Sequence, residues 1–327
     1  MTSPQQRLFD SLRLSVTDAC NLGCIYCRPG GEGGRGGLTT PDEQLSFTEI
    51  ARLVGRFKAG FGLGSVRITG GEPLLRPNLE ELIGLLAPMG FSDLALTTNG
   101  RLLAPAAAGL KRAGLDRVNI SLDSLNPSRY RHLTAGGNLA HTLAGIQGAL
   151  DVGLHPVKLN MVVLKGLNQD EVTDILRFGL ELGCEVRFLE LMAMGRIGED
   201  HGRYYVSNSK VRSQLQREFQ LEPMESPPGR PARNYRVHDG RGRIGVVGFI
   251  SPESESFCHG CGRLRLSAGG RLLGCLMYEA GIDLRPILYG PQDEFDEKID
   301  RAVREVFIAK PRLRPSRSNQ AMYSVGG

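Results

Sequence analysis

Short, almost wholly apolar runs alternate with amphipathic stretches between Leu12 and Leu191. The run at 118–122 is typical of a buried strand, whereas the apolar residues of 139–152 repeat at helical spacing. The same criteria predict strands at 12–17, 66–69, 94–98, 118–122, 157–164 and 186–191, and helices near 46–57, 79–89, 105–113, 139–152 and 169–182.

This order of elements predicts the fold class. Strand–helix–strand units of this length are right-handed and build a parallel sheet. Six strands predict an α/β fold, an incomplete (βα)6 TIM-like barrel with its function at the carboxyl ends of the strands. Ser46 with Glu49, and Asn168 with Glu171, have capping-box spacing and predict the starts of two helices.

The alternation ends after about residue 202. Residues 226–245 are rich in Pro, Gly and Arg and predict loop and linker, whereas 244–250 predicts a strand and 293–308 a helix. A basic tail closes with Gly326 and Gly327. We therefore predict a partial barrel at 1–202 and a C-terminal domain at 203–327.

Composition narrows the class of protein. The chain is 41% hydrophobic and 23% charged, which is typical of a soluble globular protein with a real core. No stretch approaches the roughly 20 apolar residues of a membrane helix. The polar start lacks the apolar segment of a signal peptide. We expect a cytoplasmic protein without a membrane partner.

Among the 40 basic residues, 33 are arginine. The guanidinium group binds carboxylate and phosphate through two parallel hydrogen bonds, so the excess favours an anionic ligand. Codon bias and an ordinary charged surface would give the same excess. The basic stretch at 230–243 has only Tyr235 for base stacking, so we expect no nucleic-acid partner.

Six of the seven cysteines form two triplets, and Cys184 stands alone. Cys20, Cys24 and Cys27 directly follow the first predicted strand. Three thiolates suit an iron–sulfur cluster with one iron open to substrate. A structural zinc site wants four ligands, and no nearby histidine or cysteine completes one. We therefore favour a cluster.

Cys258, Cys261 and Cys275 form the second triplet, and the simplest interpretation is a second cluster with an open iron. Cys184 could supply a fourth ligand to either cluster. A lone cysteine between a helix and a strand is more often buried packing, which we place ahead.

The Cys20–Cys24–Cys27 spacing resembles the signature of the radical S-adenosylmethionine (SAM) enzymes. Gly70-Gly71-Glu72-Pro73, at the end of the second predicted strand, matches that family's second motif, which contacts the methionine part of SAM. The resemblance implies a [4Fe-4S] cluster whose open iron chelates SAM. It also implies reductive cleavage of SAM to a 5′-deoxyadenosyl radical.

Within these enzymes the chain resembles the GTP 3′,8-cyclase family, also called molybdenum cofactor biosynthesis protein A, from end to end. The matching segments are 12–18, 67–74, 96–100, 119–123, 187–192, 257–267 and the terminal Gly326-Gly327.

The resemblance implies the first step of molybdenum cofactor biosynthesis. The radical would abstract the ribose 3′ hydrogen of GTP, and the carbon radical would attack C8 of the guanine. The product is (8S)-3′,8-cyclo-7,8-dihydroguanosine 5′-triphosphate. The implied partners are an external electron donor and a downstream cyclic pyranopterin monophosphate synthase. A homodimer is compatible, although the sequence does not reveal the oligomeric state.

Site residues follow from the resemblance position by position. Two [4Fe-4S] clusters would be held by the two triplets, the second cluster binding the guanine. Tyr26, Gly71, Ser121 and Met192 match SAM contacts. Arg13, Arg67, Thr97, Lys158, Arg187, Arg263, Leu264 and Arg265 match the GTP site, and Arg13, Gly326 and Gly327 match catalytic positions.

Elementary chemistry agrees with the arginine set. Arg13, Arg67 and Arg187 fall on strands that should converge at one sheet end, where a triphosphate needs bidentate donors. Arg263 and Arg265 alternate, as two residues on one face of an extended segment do.

Several positions depart from the family pattern. Ala19 stands where arginine is frequent, Arg28 where methionine or leucine is usual, Ser65 where a lysine is often found, and Gly262 where Asn or Thr is usual. A paralogue with an altered substrate is one alternative, and a peptide-modifying radical SAM enzyme with an auxiliary cluster is another. A non-catalytic electron carrier would not need the Gly-Gly-Glu-Pro motif.

Overall fold

One twelve-stranded sheet forms the centre of the computed structural model, which describes residues 9–27, 39–194, 200–226, 229–313 and 315–318. Its strands are β1 (Ser11–Ser15), β2 (Ser65–Thr69), β3 (Asp93–Thr98), β4 (Arg117–Ser121), β5 (Lys158–Val163), β6 (Glu185–Glu190), β7 (Gln220–Pro223), β8 (Ala232–His238), β9 (Ile244–Ile250), β10 (Arg263–Leu266), β11 (Arg271–Cys275) and β12 (Tyr278–Asp283). The α-helices are α1 (Phe47–Phe61), α2 (Leu79–Leu86), α3 (Leu103–Arg112), α4 (Pro127–Leu133), α5 (Leu139–Asp151), α6 (Val172–Glu181), α7 (His201–Tyr204), α8 (Asn208–Leu215), α9 (Arg285–Leu288) and α10 (Phe295–Ile308).

Strands β1 to β6 lie side by side in chain order, and every pair is parallel. The connections between them carry α1, α2, α3, the pair α4 and α5, and α6. Arg13 of β1, Ser121 at the end of β4, Arg187 of β6 and Arg265 of β10 line one cavity, so the sheet curls around a lumen. This confirms the predicted α/β class and the incomplete (βα)6 barrel.

C-terminal strands extend the barrel sheet at both edges. β9 pairs in parallel with β6, and β10 pairs in parallel with β1. Beyond them, β8 and β7 continue one edge and β11 and β12 the other, all antiparallel to their neighbours. The C-terminal part of the chain is therefore joined to the barrel through two separate strand pairings.

Alternation along the strands separates an apolar face from a polar lumen. Leu12 and Leu14 of β1 are fully buried and belong to the same core as Leu53 and Phe57 of α1. Arg13 lies between them in sequence and lines the cavity on the other face. No helix among the described residues is long and apolar enough to cross a bilayer.

The two predicted caps have different outcomes. Ser46 forms the expected capping box, since Glu49 N donates to Ser46 Oγ at 3.2 Å and Ser46 N donates to Glu49 Oε2 at 2.7 Å. The capping box predicted at Asn168 does not form, although a 3-10 turn (Gln169–Glu171) begins directly after this residue and leads into α6. The Asn168 amide accepts from Leu164 N at 2.7 Å and donates to Asp123 O at 2.9 Å, so it ties loops together while α6 begins later, at Val172.

The prediction of loop and linker at 226–245 is also wrong in part, because Ala232–His238 is strand β8. Apolar and polar residues do not alternate along the whole of this segment, so it lacks the regular sequence pattern of a half-buried strand. Pairing with the apolar β9 along seven residues keeps it extended. Asp239 closes the hairpin by accepting hydrogen bonds from Arg241 N at 2.8 Å and Arg243 N at 3.0 Å.

Candidate active site

The first cysteine triplet lies at the carboxyl ends of the barrel strands. Cys20, Cys24 and Cys27 line a cavity of about 130 Å³, which also touches Thr69 at the end of β2 and Thr98 at the end of β3. Among the described residues, none of the six triplet cysteines forms a disulfide. The thiols of this triplet therefore face a space in which a larger group can bind.

The Gly-Gly-Glu motif holds this segment against the barrel. Gly71 N donates to Thr17 O, and Glu72 N donates to Ala19 O, both at 2.8 Å. A Cβ atom at Gly71 would overlap the carbonyl oxygen of Ala19, so the close approach requires glycine. The motif therefore sets the position of the segment that carries Cys20.

Glu72 joins the motif to the neighbouring strand. It is fully buried, and its carboxylate accepts hydrogen bonds from Thr98 Oγ1 at 2.7 Å and Asn99 N at 2.7 Å. Burial raises the pKa of Glu72 to about 7, even though these hydrogen bonds oppose the shift. The carboxylate thus aligns the ends of β2 and β3, which form one wall of the cavity.

Asp123 is a site residue that the sequence interpretation missed. It is buried just beyond β4, where it accepts from Tyr26 Oη at 2.6 Å and from Val162 N at 2.9 Å. Burial raises the pKa of Asp123 to about 6. Asp123 is the last residue of the segment 119–123, which matches the family. A carboxylate directly after a barrel strand could have identified it as a site residue from the sequence.

A central cavity of about 230 Å³ adjoins the first and shares Tyr26, Thr97, Ser121 and Asp123 with it. Its lining brings together most of the residues that the resemblance singled out. They are Arg13, Arg67, Arg187, Arg263, Arg265, Met192, Cys258, Cys261 and Cys275.

The two triplets lie at opposite ends of the lumen. Cys258 and Cys261 precede β10, and Cys275 ends the antiparallel β11, so all three lie near the amino end of β10. Arg13 and Arg67 lie at the middle of their strands, between the triplets. The expectation that the site lies only at the carboxyl ends of the strands is therefore too narrow: it runs along the barrel.

The arginines of the central cavity are buried and close to one another, which favours the binding of an anion between them. Burial, followed by repulsion from Arg117 and Arg187, lowers the pKa of Arg67 to about 9. Burial also lowers the pKa of Arg187 to about 10. Within the described part of the chain, the Nε atoms of Arg67 and Arg187 are buried with no hydrogen-bond partner. A polyanion in the lumen would supply both the missing acceptors and the missing charge.

Lys310, which the sequence interpretation also missed, supports the second triplet. Its ammonium group is buried and donates to Arg263 O at 2.7 Å and to Gly274 O, next to Cys275. Burial by itself raises the pKa of the Cys261 thiol, but Arg263 and Lys310 outweigh it and lower the pKa to about 6. A thiolate at Cys261 is therefore stabilised by its surroundings.

The donor set fits clusters better than single ions. Among the described residues, no three His, Cys, Asp or Glu side chains converge closely enough to hold one metal ion. A cluster of four irons spreads its thiolate ligands over separate corners, and three cysteines leave one iron open. Each triplet lines a cavity that has room beside the sulfurs.

Two of the predicted site residues, Lys158 and Leu264, lie apart from the cavity lining. Lys158 pairs with Glu185 at 2.5 Å, and burial lowers its pKa to about 8. Leu264 is fully buried in the core, so only its backbone can face the lumen. Gly326 and Gly327 lie outside the described residues, as does Arg28.

Cys184 lies in the apolar core, away from both triplets. Its side chain is buried among core residues, and burial raises the pKa of its thiol to about 11. This agrees with the packing interpretation, because Cys184 lines neither of the cavities that the two triplets line.

Comparison with known proteins gives the family. Residues 14–179 match the model of the Radical SAM superfamily, and residues 184–313 match the model described as Molybdenum Cofactor Synthesis C. The chain is 42% identical over its whole length to the whole of the GTP 3′,8-cyclase of Pelotomaculum thermopropionicum. It is 41% identical to that of Moorella thermoacetica over 98% of both chains, and 40% identical to that of Marinobacter nauticus over 97% of this chain and 96% of the relative.

Solved structures agree on the fold. The S-adenosylmethionine-bound structure of SuiB from Streptococcus suis superposes with a TM-score of 0.62 over 91% of this chain and 68% of that one, at 13% identity. The same protein bound to its precursor peptide SuiA gives 0.61 over 91% and 67%. Such a likeness concerns the fold alone, whereas the full-length identities of about 40% concern the family. The chain therefore belongs to the radical SAM superfamily and, within it, to the GTP 3′,8-cyclase family.

Proposed function

We propose that this chain cyclises GTP to (8S)-3′,8-cyclo-7,8-dihydroguanosine 5′-triphosphate, the first step of molybdenum cofactor biosynthesis. The observation that carries the proposal is a single lumen with a cysteine triplet at each end and five arginines lining the space between. A nucleoside triphosphate placed along it would bring its charged end to the arginines and its ribose toward the first triplet. The names of the full-length relatives support the same reaction.

The first triplet would hold a [4Fe-4S] cluster through Cys20, Cys24 and Cys27, with SAM on the open iron. When bound, these groups supply the 5′-deoxyadenosyl radical that removes the ribose 3′ hydrogen. Tyr26, held by its hydrogen bond to Asp123, would orient SAM together with Gly71, Ser121 and Met192. Thr97, Ser121 and Asp123 line both cavities and so stand where the two ligands would meet.

The arginines would hold the triphosphate, and their crowding favours it. Arg13, Arg67 and Arg187 lie on three strands of one lumen, with Arg263 and Arg265 on β10 beside β1. Arg13 would also act in catalysis, and Lys158 would contribute through its charge beside Arg187. Cys258, Cys261 and Cys275 would hold a second [4Fe-4S] cluster that binds the guanine. The Gly326-Gly327 tail would complete the site.

The remaining parts of the proposal concern the setting of the enzyme. An external electron donor would reduce the first cluster, and a downstream cyclic pyranopterin monophosphate synthase would take the product. We place the protein in the cytoplasm. A homodimer is compatible with the fold.

Reconstituted protein, kept anaerobic with SAM and a reductant, should form 5′-deoxyadenosine in a GTP-dependent manner, together with a matching amount of cyclised nucleotide. The triphosphate charge and the guanine are both recognised, so ATP in place of GTP is the matched control and should give only background. Liquid chromatography of both products measures the result. Cleavage of SAM indifferent to GTP would keep the radical enzyme and contradict GTP as the substrate, leaving the peptide-modifying alternative.

Gly71→Ala should weaken SAM binding by at least about tenfold, because the added Cβ atom would displace the Ala19 carbonyl and with it the Cys20 segment. Equilibrium binding of SAM to the anaerobic reconstituted protein measures the loss. Gly84→Ala in α2 is the control, since its Cβ atom would meet nothing within 4 Å. It should bind SAM normally and stabilise the helix by about 0.5–1 kcal/mol. Equal SAM affinity in both variants would refute the steric argument.

A further inference from the structure

A second large cavity opens at the amino ends of β1, β2 and β3 and has a volume of about 550 Å³. Ser11 and Ser65 form its barrel side, and Arg230, Arg233, His259 and Gly260 form its C-terminal side. We call this cavity the vestibule. It lies at the opposite end of the barrel strands from the first cysteine triplet.

The vestibule adjoins the central cavity. The two share Arg13, Arg67, Pro231, Phe257 and Arg263, which form the waist between them. At about 230 Å³ the central cavity falls below the roughly 300–1,000 Å³ of typical small-molecule sites, whereas the two cavities together lie within that range. A ligand as long as a nucleoside triphosphate would therefore extend through the arginine waist into the vestibule.

The vestibule keeps an excess of positive charge. Of its two carboxylates, Asp93 is already bound by both prongs of Arg117, at 2.6 and 2.7 Å. Asp10 lies 3.9 Å from Arg230, longer than the 2.7–2.9 Å of a charge-assisted hydrogen bond. Arg233 makes no ion pair with any described residue within 4.0 Å. Two arginines at the mouth are thus able to accept an anion.

Arg230 is held in place by its backbone rather than by its side chain. Gly229, immediately before it, has φ +78° and packs so closely on Gly260 that a Cβ atom would overlap the Gly260 carbonyl oxygen. Arg233 is fixed by the pairing of β8 with β9, where it lies opposite Phe249. Both arginines therefore start from ordered backbone at the rim of the cavity.

We infer that Arg230 and Arg233, at the mouth of the vestibule, bind the terminal phosphate of the nucleotide and so distinguish a triphosphate from shorter phosphates. The inference rests on the proposed function for the identity of the nucleotide. Arg13 and Arg67 at the waist would hold the phosphates nearer the ribose, since they line both cavities. The two mouth arginines would then add affinity only when the phosphate chain is long enough to pass the waist.

The test is anaerobic equilibrium binding of GTP, GDP and GMP to the reconstituted full-length chain, with Arg230→Ala/Arg233→Ala beside the unaltered protein. The double variant should lose at least about tenfold in affinity for GTP, because each charge-assisted contact is worth that much. Its affinity for GMP should stay within about twofold, because GMP would not reach the vestibule. Inorganic tripolyphosphate should compete with GTP in the unaltered protein and compete less well in the variant.

Arg236→Ala is the matched control. Arg236 is an exposed arginine of the same strand, three residues from Arg233 and outside the vestibule lining. It should bind all three nucleotides as the unaltered protein does. Unchanged GTP binding in the double variant, or an equal loss for GTP, GDP and GMP, would overturn the inference. Binding is read without turnover, so a protein that binds GTP but does not cyclise it would contradict the proposed function and leave this test intact.

Discussion

Cys24→Ala should abolish the formation of 5′-deoxyadenosine, with and without GTP. Two remaining thiolates cannot hold a cluster that three are needed to support. Burial and the neighbouring Asp123 raise the pKa of the Cys24 thiol well above its usual value, so a thiolate there depends on a bound cation. Quantifying 5′-deoxyadenosine after a long anaerobic incubation gives the result, and iron analysis should show a loss of about four atoms per chain.

Cys184→Ala is the matched control for this experiment, because Cys184 is a buried cysteine of the same barrel that faces the apolar core. It should retain the full iron content and the full activity. Retained cleavage of SAM in Cys24→Ala would contradict the proposed role of the first triplet. A loss of iron from Cys184→Ala would instead show that Cys184 is a cluster ligand.

Arg67→Met should weaken GTP binding by about a hundredfold while making the protein more stable. Arg67 shares the lumen with Arg13, Arg187 and Arg263, and its Nε atom is buried with no acceptor among the described residues. Methionine has a similar length and no charge, so it removes both the repulsion and the unsatisfied donor. Removing one buried donor that has no acceptor raises the free energy of unfolding by about 1 kcal/mol.

Two measurements on the same preparations check this prediction: equilibrium binding of GTP, and the urea midpoint of unfolding under anaerobic conditions. Arg112→Met, at an exposed position at the end of α3, controls for the loss of one arginine and should change the free energy of unfolding by less than about 0.5 kcal/mol. A variant that loses stability together with affinity would show that Arg67 supports the fold, against the electrostatic argument.

Opposite effects on binding and stability are the expected mark of a site built from like charges. The lowered pKa values of Arg67 and Arg187 reflect the same loss of stability. A side chain whose pKa is lowered is one whose charged form is disfavoured by its surroundings. The folded chain tolerates this cost in the lumen because the apolar face of the same strands is fully buried.

The barrel could be predicted from the sequence because its strands are buried on their outer face and short in length. Leu12-Arg13-Leu14 and Val66-Arg67-Ile68 each place one charge between apolar residues, and alternation then turns that charge into the lumen. The positions of Arg13 and Arg67 could be expected for this reason. Their meeting at mid-strand, rather than at the strand ends, depends on the register between β1 and β2.

Other features depend on contacts between distant segments, which local patterns do not report. Asn168 precedes a helical turn and has the spacing of a cap, but its amide donates to Asp123 O and Val162 O, so its side chain makes a loop contact instead of a cap. β8 is a strand through its pairing with β9 and β7, which its own sequence does not show. Lys310 looks like an ordinary basic residue until the fold brings it against Arg263 and Gly274.

The pairing of β10 with β1 and of β9 with β6 has a consequence for synthesis on the ribosome. When β6 has emerged, the nascent chain holds six parallel strands with an unpaired edge on each side, and open edges invite association between chains. Both edges stay open until Ile244–Ile250 and Arg263–Leu266 have been translated. A message truncated between these points would yield a chain prone to aggregation instead of a smaller working enzyme.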